Sequence, residues 1–221
     1  MTLPVLFNWS TGKDSSIALY EILNDERYTV AALLTTITRE YKRVSMHGIR
    51  EELVRRQAEA FGIPLKVICI SVDADNDEYE QEMSDVLAAC RKEGIFSVVS
   101  GDIYLEEVRQ YRIEKLASAG MDALFPVWGR PSEEIAQQFI DLGFRAVVTC
   151  VDTLMLDGEF SGREFDENFI RDLPDDVDPC GENGEFHTFC YDGPIFSSPV
   201  PVRKGEIVLR SERYMFCDLL V

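Results

Sequence analysis

No C-x-x-C pair occurs in this 221-residue sequence, although it holds six cysteines at 69, 90, 150, 180, 190 and 217. That spacing speaks against a zinc knuckle, an iron–sulfur site or a dithiol redox pair. Cys69 and Cys150 lie in apolar, strand-like runs and read as small core residues. Two histidines are too few for a His-rich metal site. No apolar run approaches the ~18 residues a membrane-spanning helix needs. The N-terminus enters a strand at once and leaves no room for a signal peptide, so a cytoplasmic location is expected. Basic residues are scarce too, 22 against 40 acidic ones, for a net charge of −18. A long nucleic-acid interface needs clustered Lys and Arg that displace counterions. The densest basic runs here are only "REYKR" and "REELVRR". Nucleic acid is therefore not an expected partner; a small ligand, or a protein carrying one modified residue, suits the charge better. The acidity itself reads as solubility.

What is present is an alternation. "LPVLFNW" reads as a buried strand and "SSIALYEIL" as a helix with Ile17, Ala18 and Ile22 on its apolar side. "YTVAALLTTI" is a second strand, and "GIREELVRRQAEAFGI" an amphipathic helix stopped by Gly62 and Pro64. "LKVICISV" is a third strand. A helix follows, opened by a capping box of Asp77 and Glu80 and ended at Gly94. "FSVVSGDI" is a fourth strand, leading into the helix "LEEVRQYRIEKLASAG". Strands and helices at this spacing predict an α/β fold, a parallel sheet with helices on both faces. Ligands then bind beyond the carboxyl ends of the strands. That edge collects Ser10 to Ser15, Thr35 to Thr38 and Ser100 to Asp102.

The texture changes near residue 125. A helix "SEEIAQQFIDLG", a strand "RAVVTCV", a long acidic stretch over residues 162–194 and a hairpin around Arg210 to Glu212 follow. The division expected is residues 1–125 for a nucleotide-binding domain and 126–221 for a smaller α+β domain. The long polar loop of the second is expected to pack near the nucleotide edge of the first.

"LFNWSTGKDSSIALYEIL", residues 6–23, places a Gly-Lys pair behind the first strand. It is not a Walker loop, because Phe7 stands where the first glycine would be and Asp14 follows Lys13. It resembles the PP-loop, S-G-G-x-D-S, of ATP pyrophosphatases, with Thr11 in place of the first glycine. Small residues let backbone N–H groups approach phosphate oxygens, and the next helix presents its positive end. Ser10 and Ser15 can donate hydroxyls, Lys13 supplies charge to a departing pyrophosphate, and Asp14 helps to hold Mg²⁺, directly or through water.

"SGDIYLEEVRQYR", "ALFPVWGR" and "GENGEFHTFCYDGPIF", together with this loop, are similar to the diphthine–ammonia ligase family over nearly the whole chain. The "MHG" and "HTF" variants look more like its bacterial branch. The resemblance implies a HUP-type domain that cleaves ATP between its α and β phosphates, adenylates a carboxylate and lets ammonia displace AMP. By matching position, Ser10, Thr11, Gly12, Lys13, Asp14 and Ser15 face the phosphates and Thr35 the adenosine. Gly101 and Asp102 fall near the ribose–phosphate or the metal. ATP and Mg²⁺ are the implied cofactors. For the acceptor, Glu182, Asn183, Glu185, His187 and Thr188 are the candidates. Glu185 or His187 is the base that frees ammonia from ammonium. Arg109 and Arg112, three apart on one helix, can face the same site. His47 ranks low as a contact, and Trp128 reads as core or domain interface.

In an archaeal host the implied acceptor is diphthine on elongation factor two; in a bacterial host it is another carboxylate, in corrinoid or cofactor metabolism. Free ammonia or a partner glutaminase is the nitrogen source, since no nucleophilic cysteine stands near the N-terminus. Two alternatives stay open: an ATP-binding regulatory module of the same fold, and a PP-loop enzyme acting on another acceptor, such as tRNA. A homodimer stays open with no sequence feature behind it.

Overall fold

The computed structural model describes residues 2–44, 47–73 and 76–221, with residues 76 and 77 as backbone only. The first strand, β1 (Leu3–Asn8), leads through a short loop into α1 (Lys13–Leu23). There follow β2 (Tyr28–Thr38), β3 (Arg43–Val44), α2 (Glu51–Phe61), β4 (Leu65–Ile70), α3 (Asn76–Lys92), β5 (Ser97–Val99), α4 (Glu106–Ser118) and β6 (Asp122–Leu124). Strands β4, β2, β1, β5 and β6 lie side by side in that order, all parallel, and β3 adds a short antiparallel step on β2.

Alternation along the central strands sends side chains to two cores. Val5, Phe7 and Leu33 pack with Ile17 and Leu19 of α1 and Leu53 and Val54 of α2. Leu6, Ala32, Leu34 and Val98 pack with Leu87 of α3 and Leu116 of α4 on the opposite face. Helices therefore cover both faces, as the alternation predicts. The crossover from β4 through α3 to β5 passes to the other side of β1. A topological switch point thus lies between β1 and β5, where the loops leave in opposite directions.

The remaining chain forms α5 (Ser132–Asp141), β7 (Arg145–Asp152), α6 (Glu167–Asp172), β8 (Phe186–Asp192), β9 (Arg203–Arg210) and β10 (Tyr214–Leu220). Its four strands make an antiparallel sheet in the order β8, β7, β10, β9. Phe139, Val147, Phe186 and Phe189 belong to the same core as α1 and α2, so this sheet closes over that face of the first.

Several sequence expectations change. The long acidic stretch contains α6 and β8; β8 is buried on both faces and so shows no polar alternation to read. Cys69 points outward from β4 and is exposed, whereas Cys150 is buried. The side chain of Asp77 lies outside the described residues, and Glu80 reaches α4 to pair with Lys115 instead of capping α3. No described helix is long and apolar enough to cross a membrane.

Candidate active site

A cleft of about 480 Å³ opens at the carboxyl ends of β1, β2 and β5, with residues 181–188 as its far wall. Its floor is the loop between β1 and α1. The Ser10 and Ser15 hydroxyls meet at 2.6 Å across the loop. Gly12 caps α1 in extended conformation and offers no side-chain cap to the helix, so that N-terminus remains open to an anion. A Cβ on Gly12 would stand 3.1 Å from the Thr188 carbonyl oxygen and 3.2 Å from its hydroxyl, so a larger residue would have to push β8 back by a few tenths of an ångström. Thr188 Oγ1 in turn accepts from the Lys13 backbone N–H at 3.0 Å.

Thr11 sits at φ +77°, a left-handed conformation that a β-branched residue rarely adopts. Its carbonyl accepts from Cys190 N–H at 2.9 Å and from Gln57 Nε2 at 3.1 Å. Gln57, fully buried on α2, also donates to the Cys190 carbonyl at 2.6 Å and accepts from Trp9 Nε1 at 2.8 Å. One amide thus ties β1, the loop and β8 together and holds the strained residue in place.

The electrostatics centre on Lys13, only 2% exposed. Its ammonium lies 2.9 Å from Asp14, donates to the Cys180 carbonyl and faces the rings of Phe165 and Phe186. Burial works to lower its pKa, but Asp14 and the neighbouring Cys180 and Glu182 prevail and hold it raised, so the charge persists at neutral pH. Glu182 accepts from Ile103 N–H at 2.8 Å, joining the far wall to the loop after β5. Burial lifts its carboxyl to about 7; Ile103 opposes this and Asp14 adds to it. His187 and His47, the two histidines of the chain, meet with ring centroids 4.4 Å apart and planes tilted by 37°. Burial and then Lys13 push His187 down to about 4. Burial, His187 and Lys13 hold His47 well below its ordinary value, so both rings are neutral at pH 7.

Asp14 Oδ1 and Asp102 Oδ2 are buried and lack a hydrogen-bond partner. Asp102 does lie 2.9 Å from Arg112 Nε, an ion pair out of hydrogen-bond alignment. Two under-coordinated carboxylates beside a phosphate-type loop fit a Mg²⁺ ion that would complete its shell with phosphate and water oxygens. Among the described residues no group of three or more His, Cys, Asp or Glu could hold a metal alone.

Of the residues singled out in the sequence, the cleft brings together Ser10, Gly12, Lys13, Asp14, Ser15, Thr35, Gly101, Asp102, Arg112, Glu182, His187 and Thr188. It also takes in His47. Thr11 turns its side chain into the protein. Glu185 lies beneath the wall at 1% exposure, where it accepts from Asp178 N–H and Asn183 Nδ2 and braces the loop. Asn183 is exposed. Arg109 leaves the cleft and stacks over Trp128 at 4.6 Å, so the two arginines of that helix part company. Sequence reasoning missed Asn8, Tyr79 and Met83 in the lining, and Gln57 behind it, whereas Thr36 falls in the Thr35–Thr38 cluster expected at this edge. Only Gln57 left a trace, as a polar residue at a core-facing position of an amphipathic helix.

The loop, the Gly101–Asp102 turn and the 181–188 wall, scattered along the chain, form one site. Two family descriptions match most of the chain: the diphthamide synthase N-terminal domain over residues 3–122 and the diphthamide synthase C-terminal domain over 131–218. The chain belongs to the diphthamide synthase family. Among curated proteins, the diphthine–ammonia ligase of Bos taurus is 29% identical over 170 residues, 70% of this chain and 63% of the bovine protein. The human protein of that name is 27% identical over 143 residues, 62% of this chain and 53% of its own length. The matched stretch thus spans little more than half to two-thirds of these family members.

Proposed function

We propose that this member of the diphthamide synthase family is an ATP-dependent, AMP-forming ligase that converts a carboxylate to an amide with ammonia. The observation that carries the reading is the placement of Glu182, His187 and Thr188 against the phosphate-type loop. Phosphate-binding and proton-handling groups share one cleft of nucleotide size.

The acceptor carboxylate oxygen attacks the α-phosphorus, and the bond to the bridging oxygen breaks to release pyrophosphate. Ammonia then attacks the acyl carbon, AMP departs with the bonding electrons, and the nitrogen releases its extra proton to solvent. Ser10, Ser15 and the open end of α1 bind the phosphates. Asp14 and Asp102 hold Mg²⁺, which supplies charge neutralisation there. Lys13 acts from below, keeping Asp14 placed and tying residues 180–182 to the loop. Glu182, with its affinity for protons near neutrality, accepts the proton from ammonium. Its position in the lining favours it over the buried Glu185 for that task. The relatives are named for joining ammonia to diphthine, and a diphthine-like carboxylate is the acceptor class this reading takes over.

Burial raises the thiols of Cys180, Cys190 and Cys150, which speaks against these three as nucleophiles for tRNA thiolation. The test is incubation with α-labelled ATP, Mg²⁺, ammonium and host extract. Labelled AMP that requires both extract and Lys13 supports the ligase. ADP alone removes it, and bound but uncleaved ATP points to a regulatory module.

A further inference from the structure

We infer that the gap between α3 and α4 holds the non-reacting body of the acceptor, a carboxylic acid carried on an apolar or aromatic stem. The gap, about 260 Å³, lies beside β1 and β5. Protein interiors are closely packed, so a space of this size against a sheet face is one a ligand can take. Its buried end is apolar: Leu87 of α3, Val98 of β5 and Leu116 of α4. Helical spacing puts Ser84 on one face with Glu80 and Leu87, and Ala119 on one face with Arg112 and Leu116. Both are small, and the two helices leave the space between them unfilled. Asn8, Tyr79, Met83 and Arg112 line this gap and the nucleotide-sized cleft alike, so the two adjoin.

The class of occupant follows from charge. The cleft has two unlike ends. Toward β2 and β4 its lining is Thr35, Thr36, Val44 and Ile70, uncharged and suited to a neutral nucleoside. Toward β5 it holds Asp102 and Arg112, and the gap adjoins this charged end. Arg112 Nε lies 2.9 Å from Asp102 Oδ2 but out of alignment, and the guanidinium makes no hydrogen bond among the described residues. A fork of free N–H groups beside an apolar space is a seat for a carboxylate. Lys115, the other cation of the lining, is taken by Glu80, and that pair joins the two helices at the rim. An acid seated on Arg112 thus lays its stem in the gap and presents its carboxylate to the cleft. What then happens to that carboxylate rests on the ligase reading; the binding does not.

The test is an NMR titration of the chain with 3-phenylpropanoate and with 3-phenylpropanol, which has the same stem and no charge. The acid should bind with a Kd of about 1 mM, and the alcohol about tenfold more weakly or worse. Arg112→Leu should remove that difference. Ser84 is exposed and lies outside the cleft lining, so Ser84→Trp can fill the gap without entering the core. This variant should lose about tenfold in affinity for the acid and keep Mg-ATP binding within about twofold of wild type. Circular dichroism of each variant separates lost binding from lost folding. An acid that does not bind below about 10 mM overturns the proposal, as does an alcohol that binds equally well. A Ser84→Trp chain with wild-type affinity for the acid overturns the location. Displacement of the acid by adenosine makes the gap a nucleobase pocket and overturns the proposal too. Acid binding without any AMP formation keeps the pocket and sinks the ligase; extract-dependent AMP formation with no acid bound does the reverse.

Discussion

The two walls of the cleft are built from different materials. The loop at residues 10–15 works through backbone, small side chains and one helix end. The wall at 178–188 works through side chains whose protonation is displaced by burial. The first needs only a strand, a tight turn and a helix to exist. The second has no chemistry until the rest of the fold removes it from water. Under the proposed ligase function, the difference separates binding, which local backbone can supply, from proton transfer, which requires a built environment.

The sharpest way to break this division is at Lys13, which belongs to both walls. Lys13→Ala is expected to lower AMP formation by about 10³-fold, because Asp14 loses its partner and residues 180–182 lose their tie. A modest loss in the labelled-ATP assay would confine Lys13 to one wall. Glu182→Gln is the next largest effect, a fall of about 10²-fold in amide formation with nucleotide affinity kept. A base must be deprotonated, so wild-type turnover should rise with pH through about 7, the value burial gives Glu182. In the variant only the supply of free ammonia should remain to shape the pH–rate profile. Equal limbs in the two profiles would remove Glu182 as the base.

Gln57→Leu tests whether the backbone wall stands by itself. It leaves the Thr11 and Cys190 carbonyls and Trp9 Nε1 without this partner, and a loss of about 3 kcal/mol is expected in denaturant unfolding. An unchanged midpoint would mean that the loop needs no brace. His187→Asn probes the other wall. The folded state refuses a proton that the unfolded state accepts, so His187 lowers stability as pH falls from 6.5 to about 4. The variant should lack about 3 kcal/mol of that fall. Glu182, raised to about 7, acts in the opposite sense over an overlapping range, so the difference between wild type and variant is the quantity to measure. Smallest is Thr11→Gly, which relieves the left-handed strain while giving the unfolded chain more freedom. A net gain below about 1 kcal/mol, read as a rise of about 1–3 °C in Tm, is expected.

Legibility in the sequence followed the same divide. The strand–helix alternation and the loop could be read because each is a local pattern: β-branched runs, Gly12 before a helix, Ser10 and Ser15 flanking it. Glu182 and Glu185, three residues apart in one motif, could not be told apart, because one lines the cleft and the other braces from beneath. Arg109 and Arg112 looked equivalent on their helix until Trp128 captured one and Asp102 the other. β8 was hidden because both of its faces are buried.

The sequence by itself determined a parallel α/β sheet and a tight Gly-Lys loop between its first strand and first helix, since hydrophobic period and turn chemistry act over a few residues. Only the tertiary structure decided which carboxylate lines the cleft, that His47 meets His187, and that Lys13 is locked between two loops. Those outcomes depend on contacts between residues more than a hundred positions apart. Burial, which no local pattern encodes, then sets which of these groups carry charge.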